Sequence, residues 1–358
     1  MAKNVEFKPC IAVPPGETLK EHLEDIDMSQ ADLAKRTGLT TKHINEIING
    51  KASISQDTSL KLENVLGIPA SFWNNLEASY QETKARLEAE NQILKEAEIA
   101  KHITYAEIAK LNWVKPTKKI KEKVINLRSF FGVASLKLVP NVIPVAFRKS
   151  SIKDASALSL ATWLRRGEIL SQKIETRPFN KDLLKNRIDD LRRLTLKAPE
   201  DFCSKLESIC ALCGVAVVFV PHIKGTYAHG ATKWLSPQKA MIQLSIRGSY
   251  SDIFWFSFFH ELGHVLLHSK KQTFIADKST MHEAIEQEAD EFASNTLIPP
   301  KEYSKFLSKK DFTEASIHAF AKGLNIHSGV VIGRLQHDEV LSFNQYSYLR
   351  TRYVWKNN

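Results

Sequence analysis

Apolar residues recur at helical spacing through the first 80 residues, where short polar turns separate them. Ser29 precedes one such stretch, which contains Leu33 and Ala34, and Gly38 follows it. Serine is a preferred N-terminal cap of helices, and glycine readily adopts the left-handed backbone conformation at which many helices end. The pattern therefore predicts a helix that begins after Ser29 and ends at Gly38.

A second helix is predicted directly after this one. Thr40 or Thr41 is a suitable N-cap, and Asn49-Gly50 is typical of a helix C-terminus. Three apolar residues between them share one helix face: Ile44, Ile47 and Ile48. Two helices joined by so short a turn predict a helix-turn-helix, in which the second helix enters the major groove of DNA.

The polar residues around the second helix are the expected DNA contacts. In a helix-turn-helix, the start of the second helix faces base edges, while flanking residues contact phosphates. The predicted DNA-binding residues are Gln30, Thr40, Thr41, Lys42, His43, Asn45 and Lys51. Gln30 and Lys51 are the expected phosphate contacts. The expected partner is a double-stranded DNA operator.

The periodicity changes twice after residue 80. Helices are predicted over residues 81–112, 120–132, 154–175 and 181–196, with a basic junction at 114–123. A run of β-branched residues then predicts a strand at 214–221, and residues 227–234 and 240–246 predict a hairpin. Helical patterns return at 252–268, 283–297 and 312–324.

The helix predicted to begin at residue 252 contains the sequence HELGH at residues 260–264. His260 and His264 are four residues apart, so both imidazoles lie on one helix face and can bind one Zn²⁺. Glu261 follows the first histidine and is the expected catalytic general base, because it can take a proton from metal-bound water. The motif predicts a zinc-dependent hydrolase.

A catalytic zinc needs a third protein ligand, which the next predicted helix can provide. Glu286 and Asp290 are four residues apart, which suits Glu286 as the ligand and Asp290 as acceptor from a ligand histidine. Glu288, which points away on the same helix, is the alternative ligand. His268 is about 12 Å along the helix from His260, too far to share its metal. We therefore expect His268 to be structural or to support a ligand.

Three segments resemble the ImmA/IrrE family of zinc metallopeptidases over about residues 210–340. They are HELGHVLLH (260–268), EQEADEFASNTLIPP (286–300) and IHSGVVIGRLQHDE (326–339). The resemblance implies a zincin-like fold and a zinc endopeptidase that cleaves a specific regulatory protein, such as a repressor or toxin. We expect the strand at 240–246 to offer its edge to an extended substrate. Candidate hydrogen-bond donors to the transition state are Tyr227, His229, His282 and His327.

The N-terminal pattern resembles the HigA-type antitoxins of the Xre/Cro-like family over about residues 14–81. The similar stretches are PGETLKEHL (15–23), SQADLAKR (29–36), HINEIINGK (43–51) and LGIPASFWNNLEASY (66–80). This resemblance implies a homodimeric repressor that binds an operator and often a toxin partner. An alternative function is therefore an antitoxin and autorepressor whose zinc site is structural or vestigial. A third possibility is DNA binding gated by metal, without hydrolysis.

Charge is distributed unevenly along the 358 residues, whose formal net charge is +10. Residues 1–80 contain 8 basic and 11 acidic residues, whereas residues 81–223 contain 26 and 16. Residues 115–149 alone contain nine basic residues and one acidic residue. The prediction of DNA binding therefore depends on the motif, and the basic segment is either a solvated linker or a surface for phosphate or an acidic partner.

Composition also narrows the class of protein. The most apolar stretch, residues 253–267, is too short and too polar to span a membrane, and no secretory signal is visible. Four cysteines are too few for a disulfide scaffold, and we expect buried structural thiols: Cys10, Cys203, Cys210 and Cys213. The expected location is cytoplasmic and nucleoid-associated, with no membrane partner.

The predicted fold class is multidomain. It comprises an all-α helix-turn-helix domain (1–80), a basic helical connector (81–205), an α+β zincin-like domain (206–340) and a C-terminal tail (341–358). The predicted function is that of a DNA-binding transcriptional regulator fused to a zinc metallo-endopeptidase.

Overall fold

The computed structural model describes residues 11–144, 154–268 and 280–355, and leaves out the side chains of residues 280–283. The chain divides into two compact units. The N-terminal unit is Met1–Ala97 and the C-terminal unit is Glu98–Asn358. Each unit has its own buried core.

In the described part of the N-terminal unit, every element of regular secondary structure is a helix. Its helices are α1 (Pro15–Asp25), α2 (Gln30–Thr37), α3 (Thr41–Ile48), α4 (Gln56–Leu66) and α5 (Ala70–Lys101), the last of which continues past residue 97. The Ser29 hydroxyl accepts a hydrogen bond from the Asp32 amide at 3.1 Å, and Gly38 has a φ of 73°, so both predicted ends of α2 are confirmed. Thr40, not Thr41, caps α3 by accepting a hydrogen bond from the His43 amide.

The isoleucine face of α3 lies at the centre of this unit. Ile44 and Ile47 are fully buried against residues from the other helices: Leu19, Leu33, Leu62 and Trp73. A Cβ atom on Gly16 would lie 2.1 Å from the carbonyl oxygen of Ile47, so only glycine lets α1 approach α3 this closely. The packing of α1 therefore fixes the position of the helix predicted to read DNA.

The C-terminal unit contains a small sheet surrounded by helices. Before the sheet are α6 (Tyr105–Lys110), α7 (Ile120–Phe131), α8 (Val139–Val142), α9 (Ala155–Gln172), α10 (Lys181–Asn186), α11 (Ile188–Arg193) and α12 (Pro199–Leu212). The strands are β1 (Val215–Phe219), β2 (Gly230–Ser236) and β3 (Lys239–Leu244). After them come α13 (Ser251–Leu267), α14 (Thr280–Leu297), α15 (Pro300–Ser308), α16 (Glu314–Gly323) and α17 (Ser328–His337).

Two expectations about these elements are wrong. The helical pattern over 81–112 is interrupted between Lys101 and Tyr105, where α5 ends and α6 begins. The second concerns the sheet, which has the order β1-β3-β2. Because β3 pairs in parallel with β1 and antiparallel with β2, it lies in the middle and offers no free edge.

Helix α13 is the centre of the C-terminal unit. Its aromatic residues Trp255, Phe258 and Phe259 are fully buried in the core that also contains the strands. On the α14 side, a Cβ atom on Gly263 would lie 3.3 Å from the Cα atom of Ala289, so the backbones of α13 and α14 approach closely. This contact brings polar residues of the two helices together.

Residues 341–355 complete this core. Leu341 and Tyr353 are buried in it, and the Tyr353 hydroxyl accepts a hydrogen bond from the indole of Trp255 on α13 at 3.1 Å. The Arg350 guanidinium forms a bidentate ion pair with the carboxylate of Asp252, with hydrogen bonds of 2.6 and 3.0 Å. Among helices of residues 11–144, 154–268 and 280–355, none is both long and apolar enough to cross a membrane.

Candidate metal centre and candidate nucleic-acid interface

Three possible metal ligands meet where α13 packs against α14. The Nε2 atoms of His260 and His264 lie 3.0 Å apart. The carboxylate of Glu286 approaches both histidines, with its Oε2 3.2 Å from His260 Nε2 and its Oε1 3.6 Å from His264 Nε2. One ligand atom from each residue therefore faces a common point.

The arrangement fits a zinc ion. Ligand atoms about 2.0–2.1 Å from a tetrahedral zinc lie about 3.3 Å from one another, close to the separations found for His260, His264 and Glu286. Within the described residues, Oε1 of Glu286 is buried without a hydrogen-bond partner. Two imidazoles and one carboxylate are also a donor set that catalytic zinc accepts, with a fourth position left for water.

The carboxylates beside His260 also favour a positive charge at this point. Burial lowers the pKa of His260, but hydrogen bonds to Asp290 and Glu286 outweigh it and raise the pKa to about 10. Burial raises the pKa of Glu286, and the two imidazoles beside it, with a hydrogen bond from His260 foremost, reverse this and lower it to about 2. In the metal-free protein a protonated His260 thus lies beside an ionised Glu286, and a metal ion would displace that proton.

Both histidines also have partners at their other ring nitrogen. Asp290 Oδ1 lies 2.8 Å from His260 Nδ1, the pairing expected from the sequence. His264 Nδ1 lies 2.9 Å from His268 Nδ1, and Nε2 of that residue lies 3.1 Å from Glu288 Oε2. Glu286 thus reaches the two histidines of the motif, while Glu288 reaches His268.

Glu261 is buried beside the ligand cluster. The Thr232 hydroxyl on β2 donates to its Oε2 at 2.7 Å, and a Cβ atom on Gly230 would lie 2.6 Å from its Oε1. The absence of a side chain at residue 230 therefore makes room for this carboxylate. Burial raises the pKa of Glu261 to about 7, despite the lowering effects of His260 and Thr232. A carboxyl group with a pKa near neutrality is well suited to take and return a proton.

The cluster opens into a cleft of about 760 Å³. Besides the cluster, its walls include residues from α9, α13 and the loop before β2: Leu160, Tyr227, His229, Ile253 and Phe256. Of the four candidate transition-state donors, Tyr227 and His229 line this cleft. His327 instead caps α17, where its Nδ1 accepts a hydrogen bond from the Gly329 amide. The side chain of His282 lies outside the described residues.

Sequence reasoning missed several residues of this cluster. Thr232 and Gly230 lie on a strand, and no local pattern indicates that the strand packs against Glu261. The contact between His264 and His268 had a signal, since residues four apart share a helix face. The sequence predicted that His268 is structural or supports a ligand, and the structure places its Nδ1 beside Nδ1 of His264.

The predicted DNA contacts form an exposed surface on the N-terminal unit. Thr41, Lys42 and Asn45 on α3 are exposed, as is Lys51 after the helix, while His43 is half-buried. The Thr40 hydroxyl also caps α3. The Asn45 amide donates to Gln30 Oε1 at 3.4 Å, which joins the start of α2 to the exposed face of α3.

The basic segment is partly paired. Lys119 contacts Glu122 at 3.0 Å, and the Lys123 ammonium lies 5.4 Å from the centre of the Tyr105 ring. Arg148 and Lys149, which also belong to this segment, lie outside the described residues.

The cysteines of the C-terminal unit are free thiols. Cys210 and Cys213 are buried and Cys203 is half-buried, where burial raises its pKa to about 11. A thiol with so high a pKa is a poor nucleophile and metal ligand at neutral pH, which agrees with the predicted structural role. Cys10 lies outside the described residues.

Two family models match separate parts of the chain. A helix-turn-helix model matches residues 19–73, and the model of the IrrE N-terminal-like domain matches residues 237–332. The second match includes α13, α14 and all residues of the ligand cluster. The chain therefore combines a helix-turn-helix domain of the Xre/Cro-like type with an IrrE-like domain.

Three known proteins illustrate the similarity, and each matches less than a quarter of the length of this chain. Virulence-associated protein I of Dichelobacter nodosus is 36% identical over 70 residues, which are 19% of this chain and 65% of that protein. An addiction module antidote protein of a HigA family from Coxiella burnetii is 37% identical, covering 24% of this chain and 94% of the other (TM-score 0.22). The Pseudomonas aeruginosa antitoxin HigA, solved with the higBA promoter, is 31% identical, covering 23% of this chain and 91% of the other (TM-score 0.22).

Proposed function

We propose that this protein is a DNA-binding transcriptional regulator fused to a zinc-dependent endopeptidase that cleaves a specific regulatory protein. The observation that carries the proposal is the meeting of His260, His264 and Glu286 beside the buried Glu261, at the wall of an open cleft. The match to the IrrE N-terminal-like domain supports it. The three residues would hold the zinc ion, and Glu261 would move protons.

When bound, zinc supplies a Lewis acid that polarises the scissile carbonyl and lowers the pKa of a bound water to about 7. Glu261 takes a proton at its carboxylate and returns it to the leaving amine, a role that its pKa of about 7 suits. Thr232 holds that carboxylate in place. Asp290 accepts the Nδ1 proton of His260, so that Nε2 of the same ring is directed to the metal.

Strand β2 is the expected docking edge for the substrate. It lies at the edge of the described sheet, and its first residue, Gly230, is next to Glu261. An extended chain that pairs with this edge passes directly beside the ligand cluster. The substrate would therefore be an unfolded or flexible segment of its protein, since a folded helix cannot form such pairs.

Proteolysis is tested with Glu261→Gln, a change of similar size that removes the general base. We expect the variant to keep its zinc, measured by mass spectrometry of the purified protein, and to lose cleavage by about 10²–10⁴-fold. Because the substrate is unidentified, cleavage is measured in cells as new protein N-termini, by chemical labelling of all amines. Glu291→Gln on α14, an exposed residue, is the matched control. Equal numbers of new N-termini with Glu261→Gln would contradict the proposal.

The DNA-binding part of the proposal concerns the exposed face of α3. We propose that a homodimer places Thr41, Lys42 and Asn45 against base edges of an operator, with Gln30 and Lys51 at phosphates. The probe is the DNA upstream of the protein's own gene. Asn45→Ala is expected to reduce binding about 5- to 150-fold by a loss of about 1–3 kcal/mol. Unchanged binding to that DNA by Asn45→Ala and Lys42→Ala variants would contradict this part.

A second candidate function is an antitoxin and autorepressor in which zinc is structural and nothing is cleaved. The similarity of the chain to HigA antitoxins favours it. In that case Glu261→Gln leaves both operator binding and the set of protein N-termini unchanged. Removal of zinc by a chelator then distinguishes a merely structural ion from one that gates DNA binding, because only the latter changes operator affinity.

A further inference from the structure

A chain of three side chains runs from the ligand cluster to the surface. It begins at His264, passes through the imidazole of His268 at 2.9 Å and ends at the carboxylate of Glu288 at 3.1 Å. The side chain of His268 is 6% exposed and that of Glu288 is 64% exposed. A buried imidazole thus connects a proposed metal ligand to a carboxylate in solvent.

The geometry permits a single consistent placement of protons in this chain when both histidines are neutral. A histidine that binds metal through Nε2 must carry its proton on Nδ1, so Nδ1 of His264 is the donor to His268. His268 then accepts at Nδ1 and carries its own proton on Nε2. That proton is donated to Glu288, which accepts because an ionised carboxylate has no proton to give.

The metal-free contacts agree with this placement. Both ring nitrogens of His260 face carboxylate oxygens, Nδ1 at 2.8 Å from Asp290 and Nε2 at 3.2 Å from Glu286, so both nitrogens act as donors. The contact between the Nε2 atoms of His260 and His264 at 3.0 Å is therefore a hydrogen bond from His260 to the lone pair of His264. His264 is thus already in the tautomer that a metal needs.

We propose that His268 and Glu288 are positioning residues that hold His264 in its metal-binding tautomer and so strengthen metal binding. The proposal rests on the metal site proposed above. Each ligand histidine is then oriented by a carboxylate on α14. Asp290 contacts His260 directly, whereas Glu288 acts on His264 through the imidazole of His268. Outer contacts of this kind typically change metal affinity 10- to 100-fold.

The first measurement is the zinc dissociation constant, by competition with a chelator of known affinity. His268→Phe keeps a ring of similar size and removes both nitrogens, and we expect it to weaken zinc binding about 10- to 100-fold. Glu288→Gln keeps the side-chain length, and its effect is expected to be smaller and in the same direction. Glu291→Gln on the same helix is the control and should change affinity less than two-fold. Circular dichroism checks that each variant is folded.

The second measurement uses the metal-free protein, so it does not depend on zinc binding. Long-range ¹H–¹⁵N NMR spectra distinguish the two neutral tautomers of an imidazole. We expect His264 to be protonated on Nδ1 in the wild type and to become a mixture of tautomers in His268→Phe. A residue that only fills space would leave this signature unchanged.

The outcomes separate the two proposals. A wild-type protein that binds no zinc contradicts the proposed metal site, while the tautomer of His264 still tests the relay. The relay would be overturned if both His268→Phe and Glu288→Gln left the zinc affinity and the tautomer of His264 unchanged. That conclusion would hold even if the protein cleaves its substrate.

Discussion

The two units hold their candidate functional side chains in opposite ways. In the N-terminal unit these side chains are mostly exposed and close together in the sequence, between Gln30 and Lys51. In the C-terminal unit they are largely buried and come from α13, α14 and β2. The first site is a surface on a small folded core, whereas the second is part of the core itself.

This difference determines what a substitution can do. A residue such as Lys42, whose side chain is 85% exposed, can change with little cost in stability, because surface substitutions usually change the free energy of unfolding by less than 0.5 kcal/mol. Buried charged groups are different, since removing one partner leaves the other unpaired and desolvated. Function and stability are therefore separable in the first unit and coupled in the second.

The largest effect is expected for Arg350→Ala in the C-terminal unit. Both side chains of the Arg350–Asp252 ion pair are 9% exposed, so the variant leaves a buried carboxylate and should lower the free energy of unfolding by about 3–5 kcal/mol. Urea unfolding followed by tryptophan fluorescence measures it, because five of the six tryptophans follow residue 97. The control is Arg352→Ala at an exposed position. Equal losses of stability in the two variants would show that burial of the ion pair does not cause the loss.

An intermediate effect is expected for Gly16→Ala in the N-terminal unit. Alanine favours a helix by about 1 kcal/mol over glycine. Its Cβ would nevertheless lie 2.1 Å from the Ile47 carbonyl oxygen, a clash that moves α1 away from α3. We expect a net loss of about 1–3 kcal/mol. Hydrogen exchange resolved by mass spectrometry should show faster exchange in residues 19–73 and no change in α13. Faster exchange in both would show that the units are not independent.

The smallest effect separates two adjacent threonines. Thr40→Ala removes the N-cap of α3 and should cost about 1 kcal/mol, whereas Thr41→Ala should change stability by less than half of that. Both are expected to weaken binding to DNA from upstream of the gene, Thr41→Ala through a lost contact alone. Thermal unfolding measures the stability of each variant, and a DNA titration measures its binding affinity. A Thr41→Ala variant less stable than Thr40→Ala would mean that the cap is wrongly assigned.

The accuracy of the sequence predictions follows the same division. Caps at Ser29 and Thr40 and the end of α2 at Gly38 depend on neighbouring residues, and the sequence predicted them, with Thr41 as the alternative for the second. The four-residue spacing of Glu286 and Asp290 likewise fixed which side chains share a face. Their roles toward zinc stay predictions.

The expectations that were wrong, and the contacts that were not predicted, concern residues far apart in the sequence. The edge expected at 240–246 is covered by β1, and a parallel pairing across the intervening chain has no local signal. Thr232 contacts Glu261 because β2 packs beside α13, which periodicity cannot reveal. The sequence predicted that His268 is structural or supports a ligand, but its contact with Glu288 joins two helices and has no local signal.

Residues 341–355 also affect the order in which the protein matures. The family match ends at residue 332, yet Arg350 and Tyr353 complete the core around α13. Proteins are synthesised from the N-terminus, and domains generally fold as units during synthesis. The helix-turn-helix can therefore fold while the rest of the chain is still being made, whereas the candidate metal centre gains its full support only after Tyr353 has left the ribosome. A nascent chain would thus complete its helix-turn-helix before the core around the candidate metal centre.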